Sequence, residues 1–430
     1  MVRSVDPYVV RMRYLEGPFE PVTEEITAYG LPVTGRIPTE LNGRYLRNGP
    51  NALGVEDPGV HIWGMGQGMV HGVRLREGRA EWYRNRFVRT SGFAPMVHVI
   101  EHAQRTFALA EGGLPPAELD EELNTLGSCD LGATPEGFMA GAHSKHDPLT
   151  GELHSLSYMP GRAVVQHIVT DAGGTVTGTT TIPMTRTPFM HDFALTESHV
   201  VLWDTPLGFD GFECRWLPDH PTRVGVMPRA GGEVRWHDID PVHVSHTLNA
   251  YDSGDSVVVD VITADGPFDP AAPGAIRPAL DRWTIGPGTI HQQRVDDRPQ
   301  DFPRVNESRL TRPYRFGYSA ATALYGVPFE PEGAPGDDNF TNALVKHDLE
   351  RGTAEVHRFG RDEAVGEAVF AAAGAGEDDG YLMTYVHNPL RNASDLVILS
   401  AQDFTGAPVA RVHLPARVPL GLHGSWLPDR

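Results

Sequence analysis

The apolar positions of the chain fall into short, β-prone runs separated by polar turns that contain glycine. Four segments show the pattern most clearly: 73–87, 145–158, 345–359 and 396–414. The first turns at Glu77-Gly78 and the second at Thr150-Gly151, and a weaker example lies near residue 175. Two β-prone runs joined by such a turn are typical of a β-hairpin. The pattern therefore predicts a repeated antiparallel sheet.

Repetition of small sheets around an axis is how β-propellers limit exposed strand edges, and the recurring hairpins favour that architecture. The 47 glycines and 36 prolines are spread along the whole length, which suits many short strands and turns. Helical potential is confined to short stretches such as 115–126, which we predict to be a helical insertion on one face. Because no linker interrupts the pattern, we expect one domain over residues 1–430.

The formal net charge of −20 argues against nucleic acid as a partner, and it offers no basic patch for anionic lipid. Cys129 and Cys214 form no spacing motif, which favours a reducing compartment. The first residues lack the features of a secretory signal, and no stretch approaches 18 consecutive apolar residues. We expect a cytoplasmic protein without a transmembrane segment, and peripheral membrane contact stays open.

The 20 histidines are the main candidates for metal chemistry, but local spacing does not choose among them. His243 and His246 form an H-x-x-H pair whose members would point to opposite faces of a strand. No H-E-x-x-H or C-x-x-C motif is present, so spacing alone does not indicate zinc. Four histidines instead lie at the ends of strand-like segments far apart in sequence: His143, His191, His246 and His423. In a propeller such positions on different blades converge on the axis, as a central metal requires.

Ordered motifs along nearly the whole chain carry a family resemblance. They are GRIPTELNGRYLRNGPN (35–51), GMGQGMVHGV (64–73), YRNRFVRT (83–90), ALAEGG (108–113), AHSKHDPLTGELH (142–154), MHDFALT (190–196), HTLNAYDSGD (246–255), DFPRV (301–305), GEAVF (366–370) and PLGLHGSW (419–426). The sequence resembles the carotenoid cleavage oxygenase family, which also includes retinal-forming, stilbene-cleaving and isoeugenol-cleaving enzymes.

This resemblance implies an all-β fold, a seven-bladed β-propeller with a dome of loops and short helices over an axial metal site. It also implies that Fe(2+) is held by the four histidines selected above, and that three carboxylates accept hydrogen bonds from them. By motif these carboxylates are Glu111, Glu367 and Asp301. The family usually has Glu where this chain has Asp301, so the shorter side chain puts that hydrogen bond in doubt.

The implied activity is that of a non-haem Fe(II) dioxygenase. Neutral imidazoles suit Fe(II), and four of them would leave two of six octahedral positions open for O2. Both oxygen atoms would enter the two carbons of an alkene, and two carbonyl products would leave. The chain contains neither a dinucleotide-binding motif after a strand nor a P-loop, so we expect no organic cofactor.

An apolar alkene would need a tunnel lined by aromatic and methionine side chains. Candidates are the residues that flank the motifs: Trp63, Phe93, Met96, Phe189, Met190, Phe193, Phe302 and Trp426. Val97 joins them, because many relatives carry Thr at that position near the open face of the iron. Each of these side chains would also fit ordinary core packing.

Two clues to the substrate point in opposite directions. Stilbene-cleaving relatives grip a phenolate with a lysine next to the first carboxylate, and this chain has Ala110 there, which favours carotenoids or apocarotenoids. A chain of 430 residues is short for the family, which suits a smaller substrate such as a stilbene or an isoeugenol-like phenylpropenoid. A further alternative from another class is a non-catalytic propeller scaffold with vestigial histidines.

Overall fold

The computed structural model describes residues 13–57, 61, 63–92, 94–210, 213–217, 219–266, 278–321, 342–360 and 362–429. Within these ranges the chain is almost entirely β. Helical structure there is limited to 3-10 segments at Arg13–Leu15, Gly17–Phe19 and Glu307–Arg309. None of the helices in the described ranges could cross a membrane.

Seven antiparallel sheets form the blades of a β-propeller, which confirms the predicted fold. The first blade consists of β1 (Thr27–Tyr29), β3 (Gly43–Asn51), β4 (Gln67–Arg76), β5 (Arg79–Phe87) and β33 (Gly424–Pro428). The second consists of β6 (His98–His102), β7 (Arg105–Leu109), β8 (Ala117–Leu119) and β9 (Thr125–Ser128). The third consists of β10 (Lys145–His146), β11 (Leu153–Tyr158), β12 (Val164–Thr170) and β13 (Val176–Pro183).

The fourth blade consists of β14 (Phe193–Leu195), β15 (His199–Asp204), β18 (Thr222–Pro228) and β19 (Arg235–Ile239), with a separate pair β16 (Leu207–Asp210) and β17 (Glu213–Trp216). The fifth consists of β20 (His243–Ser253), β21 (Ser256–Ala264), β22 (Ala279–Ile285) and β23 (Ile290–Asp296). The sixth consists of β24 (Gln300–Arg304), β25 (Phe316–Ala321), β26 (Ala343–Asp348) and β27 (Thr353–Arg358). The seventh consists of β2 (Val33–Gly35), β28 (Ala364–Val365), β29 (Val369–Ala372), β30 (Gly380–Asn388), β31 (Ala393–Ser400) and β32 (Ala410–His413).

Both ends of the chain close the ring. Strand β33 pairs antiparallel with β3, from Gly43 opposite Pro428 to Arg47 opposite Gly424. Strand β2, from the N-terminal part, pairs with β32 and completes the edge of the seventh blade. Because each closing strand joins a blade built mainly from distant sequence, the ring has no open edge at the junction.

The burial of each strand follows its place in the blade. Middle strands such as β11 and β31 are buried on both faces, because neighbouring blades pack against them. The outer strand β13 alternates between exposed and half-buried positions along most of its length. The innermost strands contact one another around the axis, for example β14 with β20 and β20 with β24. Residues at the ends of these inner strands therefore meet at the centre of the molecule.

The hairpin predictions hold in detail, and the helical prediction does not. Glu77 and Gly78 both have positive φ, 50° and 73°, as a tight primed turn between β4 and β5 requires. Segment 115–126 forms strands β8 and β9 instead of the predicted helix. Asp120 favours a turn over a helix at this point. Its carboxylate accepts hydrogen bonds from the backbone N–H groups of Glu122 and Asn124 and so stabilises the turn between the two strands.

Candidate metal centre

The structure brings His143, His191, His246 and His423 together on the axis. His143 precedes β10, His191 precedes β14, His246 lies in β20 and His423 precedes β33. The ring centroids of His143 and His191 are 4.2 Å apart, and those of His143 and His423 are 4.8 Å apart. The ring of His246 lies 5.0 Å from those of both His191 and His423. Four distant segments thus supply one compact cluster of imidazoles.

Strand β20 is irregular where it carries His246. Its register against β21 shifts between Val244 and His246 and again between Thr247 and Asn249. Such bulges bend a strand locally and re-aim its side chains. The irregularity lets His246 face the axis even though β20 is otherwise a regular partner of β21.

Carboxylates hold the outer ring nitrogens of the cluster. Nδ1 of His246 donates to Asp301 at 2.6 Å, and Nδ1 of His423 donates to Glu367 at 2.9 Å. Nδ1 of His191 lies 3.1 Å from a carboxylate oxygen of Glu111. The contacts with Asp301 and Glu367 set the tautomers of His246 and His423 and leave the Nε2 atoms of these two rings free to face the centre.

The hydrogen bond that the shorter Asp301 side chain put in doubt is present. Asp301 lies in β24, where the pairing with β25 shifts between Asp301 and Arg304. The next residue, Phe302, has a φ of +55°, and its backbone N–H donates to the same carboxylate oxygen at 2.8 Å. The bulged backbone therefore brings Asp301 close enough to His246 to compensate for the missing methylene.

Burial and neighbouring charges act against each other in this cluster. Burial would raise the pKa of Glu367, but the charges of Arg304 and His423 outweigh it and hold this pKa at about 2. For Asp301, burial is likewise outweighed by His246, and the net pKa is lowered. Burial and the three neighbouring imidazoles lower the pKa of His143 well below its ordinary value. The pKa of His423 is also lowered, chiefly by burial, so His143 and His423 favour the neutral form needed to hold a cation, whereas for His191 the nearby Glu111 outweighs burial and raises the pKa.

The nitrogen atoms at the centre fit a metal ion. Donor atoms of His143, His246 and His423 all lie within 4.8 Å of one another. Metal–nitrogen bonds of about 2.1 Å place two donors on one ion at most roughly 4.2 Å apart, so small movements suffice. Nε2 of His191 lies 3.3 Å from Nε2 of His246. Nε2 of His143 is buried without a hydrogen-bond partner among the described residues, and a metal ion would satisfy it.

Aromatic side chains cover one side of the cluster. The ring of Phe302 lies 5.6 Å from those of both His246 and His423, and Trp63 packs against Phe302 at 6.1 Å. Phe189 stacks on His191 with centroids 5.7 Å apart. Three of the side chains predicted to line a tunnel, Trp63, Phe189 and Phe302, thus form an apolar surface over the metal centre.

The other tunnel candidates lie elsewhere. Met96 and Val97 are buried in a cluster with Ile100 and Phe107, although the backbone of Val97 accepts the N–H of His423. Met190 and Phe193 belong to the core of the third and fourth blades. Trp426 borders an axial cavity, described next. Phe93 is outside the described residues.

A cavity with both charged and apolar side chains in its wall reaches the cluster. It has a volume of about 310 Å³ and extends along the axis from His143, His246 and His423 to the exposed residue Glu307. Phe189 and Phe302 do not form part of its wall. The cavity therefore reaches three of the histidines without contacting the aromatic side chains that pack on the cluster.

Sequence reasoning missed several charged residues in this cavity wall, and three of them lie beside predicted site residues in the sequence: Lys145, Asp192 and Arg304. Lys145 and Asp192 form an ion pair of 2.7 Å, and Arg304 donates to the backbone oxygen of Gly424 at 2.9 Å. The signal that could have found them is adjacency, because each lies within three residues of a predicted histidine or carboxylate. Adjacency in the sequence does not predict whether these side chains point into the cavity.

Fold and site together define a β-propeller protein whose axial histidines, supported by carboxylates, could hold a metal ion. Residues 19–96 and 94–428 match the model of the family described as retinal pigment epithelial membrane protein. The chain belongs to this family of carotenoid oxygenases, as its motifs predicted. It is an alkene-cleaving dioxygenase of the carotenoid-cleavage type.

Three similar proteins illustrate the range of the family. A carotenoid cleavage oxygenase of Mycobacterium tuberculosis is 39% identical over 96% of this chain and 97% of its own length. The crystal structure of a lignostilbene dioxygenase of Pseudomonas brassicacearum shares 26% identity and a TM-score of 0.86, covering 97% of this chain and 98% of that one. The structure of a cobalt-substituted Synechocystis apocarotenoid oxygenase shares 25% identity and a TM-score of 0.86, covering 99% and 100%.

Proposed function

We propose that this protein is a non-haem iron(II) dioxygenase that cleaves a carbon–carbon double bond of a carotenoid or apocarotenoid. The observation that carries the proposal is the four-histidine cluster, in which His246 and His423 donate to Asp301 and Glu367 and a buried nitrogen of His143 has no hydrogen-bond partner among the described residues. Zinc has no redox chemistry, whereas oxygenation of an alkene requires a redox-active metal, so iron is the better fit.

Each part of the site has a separate task in this proposal. His143, His191, His246 and His423 would hold Fe(2+), and the bound ion would activate O2 beside the alkene. Glu111, Asp301 and Glu367 keep the outer ring nitrogens protonated and so hold the inner nitrogens unprotonated toward the ion. In the overall reaction the C=C and O–O bonds break and two C=O bonds form. No proton or further reductant is needed for that balance.

The aromatic surface supports an apolar substrate. Phe189 packs on His191, and Phe302 packs on His246 and on Trp63, so these rings would exclude water and position a polyene next to the ion. Ala110 is fully buried and offers no charge to a phenolate. The similarity to the mycobacterial carotenoid cleavage oxygenase points the same way.

A second candidate is cleavage of a stilbene or phenylpropenoid to an aromatic aldehyde. It is favoured by the similarity to the lignostilbene dioxygenase, which covers nearly all of both chains. The two candidates share the metal centre and differ in what occupies the aromatic surface. A substrate screen therefore separates them.

Metal analysis tests the common part of both candidates. We expect roughly one iron per chain in the purified protein, lost in His191→Ala and retained in the control His199→Ala. His199 pairs with Asp252 at the start of β15, away from the metal centre. Full folding of the unaltered chain with no iron and no O2 uptake would leave the scaffold alternative as the explanation.

The substrate class is tested by an aerobic screen without added cofactors. An apocarotenal, resveratrol and isoeugenol are offered separately, and the aldehyde products are identified by mass. We expect the apocarotenal to be cleaved. Cleavage of the phenolic alkenes alone would make the second candidate the correct one.

A further inference from the structure

We propose that Asp192, paired with Lys145, is a positioning residue that ties together the segments bearing three of the four histidines. This inference rests on the proposed metal site and concerns residues that lie behind the ligands. Asp192 directly follows His191, and its side chain is only 1% exposed. A carboxylate at such a depth persists only when its oxygens are fully engaged.

Each oxygen of Asp192 has a defined partner. Oδ1 lies 2.7 Å from Nζ of Lys145 and also accepts the backbone N–H of Phe193 at 2.8 Å. Oδ2 accepts the backbone N–H of Thr247 at 2.7 Å. Lys145 comes two residues after His143, and Thr247 comes directly after His246. One carboxylate thus contacts the third, fourth and fifth blades within two residues of a predicted ligand in each.

The contact with Thr247 explains how the irregular part of β20 stays in place. The register shifts on both sides of His246 and Thr247 weaken the regular pairing with β21 there. Because Asp192 accepts the N–H of Thr247, it stabilises the bulged conformation that turns His246 to the axis. Glu111, Asp301 and Glu367 orient individual rings, whereas Asp192 sets the relative position of the backbones that carry them.

The positive charge of Lys145 offsets the free-energy cost of burying the Asp192 carboxylate. Its side chain is 19% exposed, and its ammonium also lies 5.8 Å from the centre of the Phe193 ring. The chain contains only one other lysine, Lys346 in the sixth blade. Removing one partner of a buried pair leaves an uncompensated charge and costs more than removing both.

The test compares Asp192→Asn, Lys145→Met, the double variant and Lys145→Arg in metal-free protein titrated with Co(2+). We expect Asp192→Asn to lower cobalt affinity by about 10- to 100-fold, the range typical for lost ligand-supporting contacts. Lys145→Met should also weaken binding, and the double variant should lose less than the sum of the two single changes. Lys145→Arg, which keeps the charge, should stay within a few-fold of the unaltered protein.

A second readout separates positioning from general destabilisation. We expect the rise in Tm on cobalt binding to shrink in Asp192→Asn, along with a changed cobalt absorption spectrum. The matched control is Asp260→Asn, because Asp260 is an equally buried aspartate paired with Arg282 in the fifth blade, outside the metal centre. Asp260→Asn should lower the Tm of the metal-free and the cobalt-bound protein alike, and it should leave the cobalt affinity and the cobalt absorption spectrum unchanged.

Three outcomes decide the matter. Unaltered affinity and spectrum in Asp192→Asn, with normal binding by the unaltered chain, would overturn this inference and leave the proposed function intact. An equal loss of affinity in Asp260→Asn would reduce Asp192 to ordinary structural support and would also overturn it. Failure of the unaltered chain to bind cobalt or iron would overturn the proposed function and the inference together.

Discussion

The short carboxylate of Asp301 depends on the backbone beside it. Its contact with His246 is made through the bulge in which Phe302 adopts a φ of +55°. A non-glycine residue in this region is strained unless its surroundings hold it, and here the Phe302 ring packs between Trp63 and the histidines. Local geometry and ligand orientation are thus coupled at a single position.

This coupling predicts an unusual response to Asp301→Glu. The longer side chain restores the residue usual in the family, but its extra methylene has to fit a site that is 2% exposed and shaped for aspartate. We expect metal affinity to fall severalfold in Asp301→Glu and by about 10- to 100-fold in Asp301→Ala. Titration of metal-free protein with Co(2+) measures both, and equal or tighter binding by the Glu variant would show that the bulge adapts freely.

Arg304 predicts a shift in acid sensitivity. Its guanidinium lies 3.9 Å from Glu367 and is the largest influence that lowers the pKa of this carboxyl, to about 2 against an ordinary 4.5. Since this pKa is depressed, the stability it contributes is complete above about pH 4.5 and is lost as the pH falls toward 2. Arg304→Gln should raise the pKa of Glu367 and move this loss to higher pH.

Acid titrations of stability and of bound metal in the unaltered chain, Arg304→Gln and Arg304→Lys measure the shift. Lysine keeps the charge but not the planar donor group that reaches Gly424. We therefore expect the midpoint of Arg304→Lys to lie between those of Arg304→Gln and the unaltered chain. Identical midpoints in all three proteins would mean that Arg304 has no electrostatic role at Glu367.

At the scale of elements, strand β33 combines ring closure with the metal centre. It pairs with β3, and His423 immediately precedes it. The backbone of His423 is held on both sides, since it accepts from Asn48 and donates to Val97. A bound metal would add a link between this closing strand and the third, fourth and fifth blades.

Metal removal should therefore loosen the closure selectively. We expect backbone amides of residues 424–428 to exchange deuterium faster after chelation, while those of the central strand β21 change little. Hydrogen exchange with mass-spectrometric detection, with and without metal, compares the two strands in one sample. Uniform acceleration in both would indicate global destabilisation, and no change in either would mean that closure is independent of the metal.

The elements also show which structural features a local sequence pattern can predict. Hairpins such as β4–β5 were predictable, because the turn at Glu77-Gly78 and the flanking runs are local features. Segment 115–126 has a helix-compatible composition, yet Ala117 and Leu119 pack in the core of the first and second blades as strand residues. Residues 117–119 form a strand because β8 pairs with β7, and local composition does not show which strands will pair.

At the scale of the whole molecule, buried histidines predict acid lability. Several outside the metal cluster have pKa values lowered chiefly by burial, for example to about 3 for His154 and His167 and about 4 for His146 and His347. Below pH 6.5 the unfolded chain binds protons that the folded chain refuses, so stability falls as the pH falls. Each such histidine contributes up to about 1.4 kcal/mol per pH unit.

Urea unfolding of the metal-free protein at pH 7.5, 6.5 and 5.5 tests this prediction. We expect a modest fall of the midpoint between the first two values and a larger drop between the second and the third. A midpoint that is unchanged at pH 5.5 would show that these histidines titrate normally in the folded chain.

The sequence by itself determined the repeated hairpins and the family, and it singled out the four histidines and three carboxylates that the fold brings together, because ordered motifs and turn chemistry are properties of the chain. Only the tertiary structure decided that Asp301 reaches His246, that Asp192 and Lys145 join three blades, and that a cavity lined by charged and apolar residues reaches the histidines. These features depend on bulges and contacts between segments tens to hundreds of residues apart. Such contacts arise when the blades close around the axis, and no local pattern encodes their geometry.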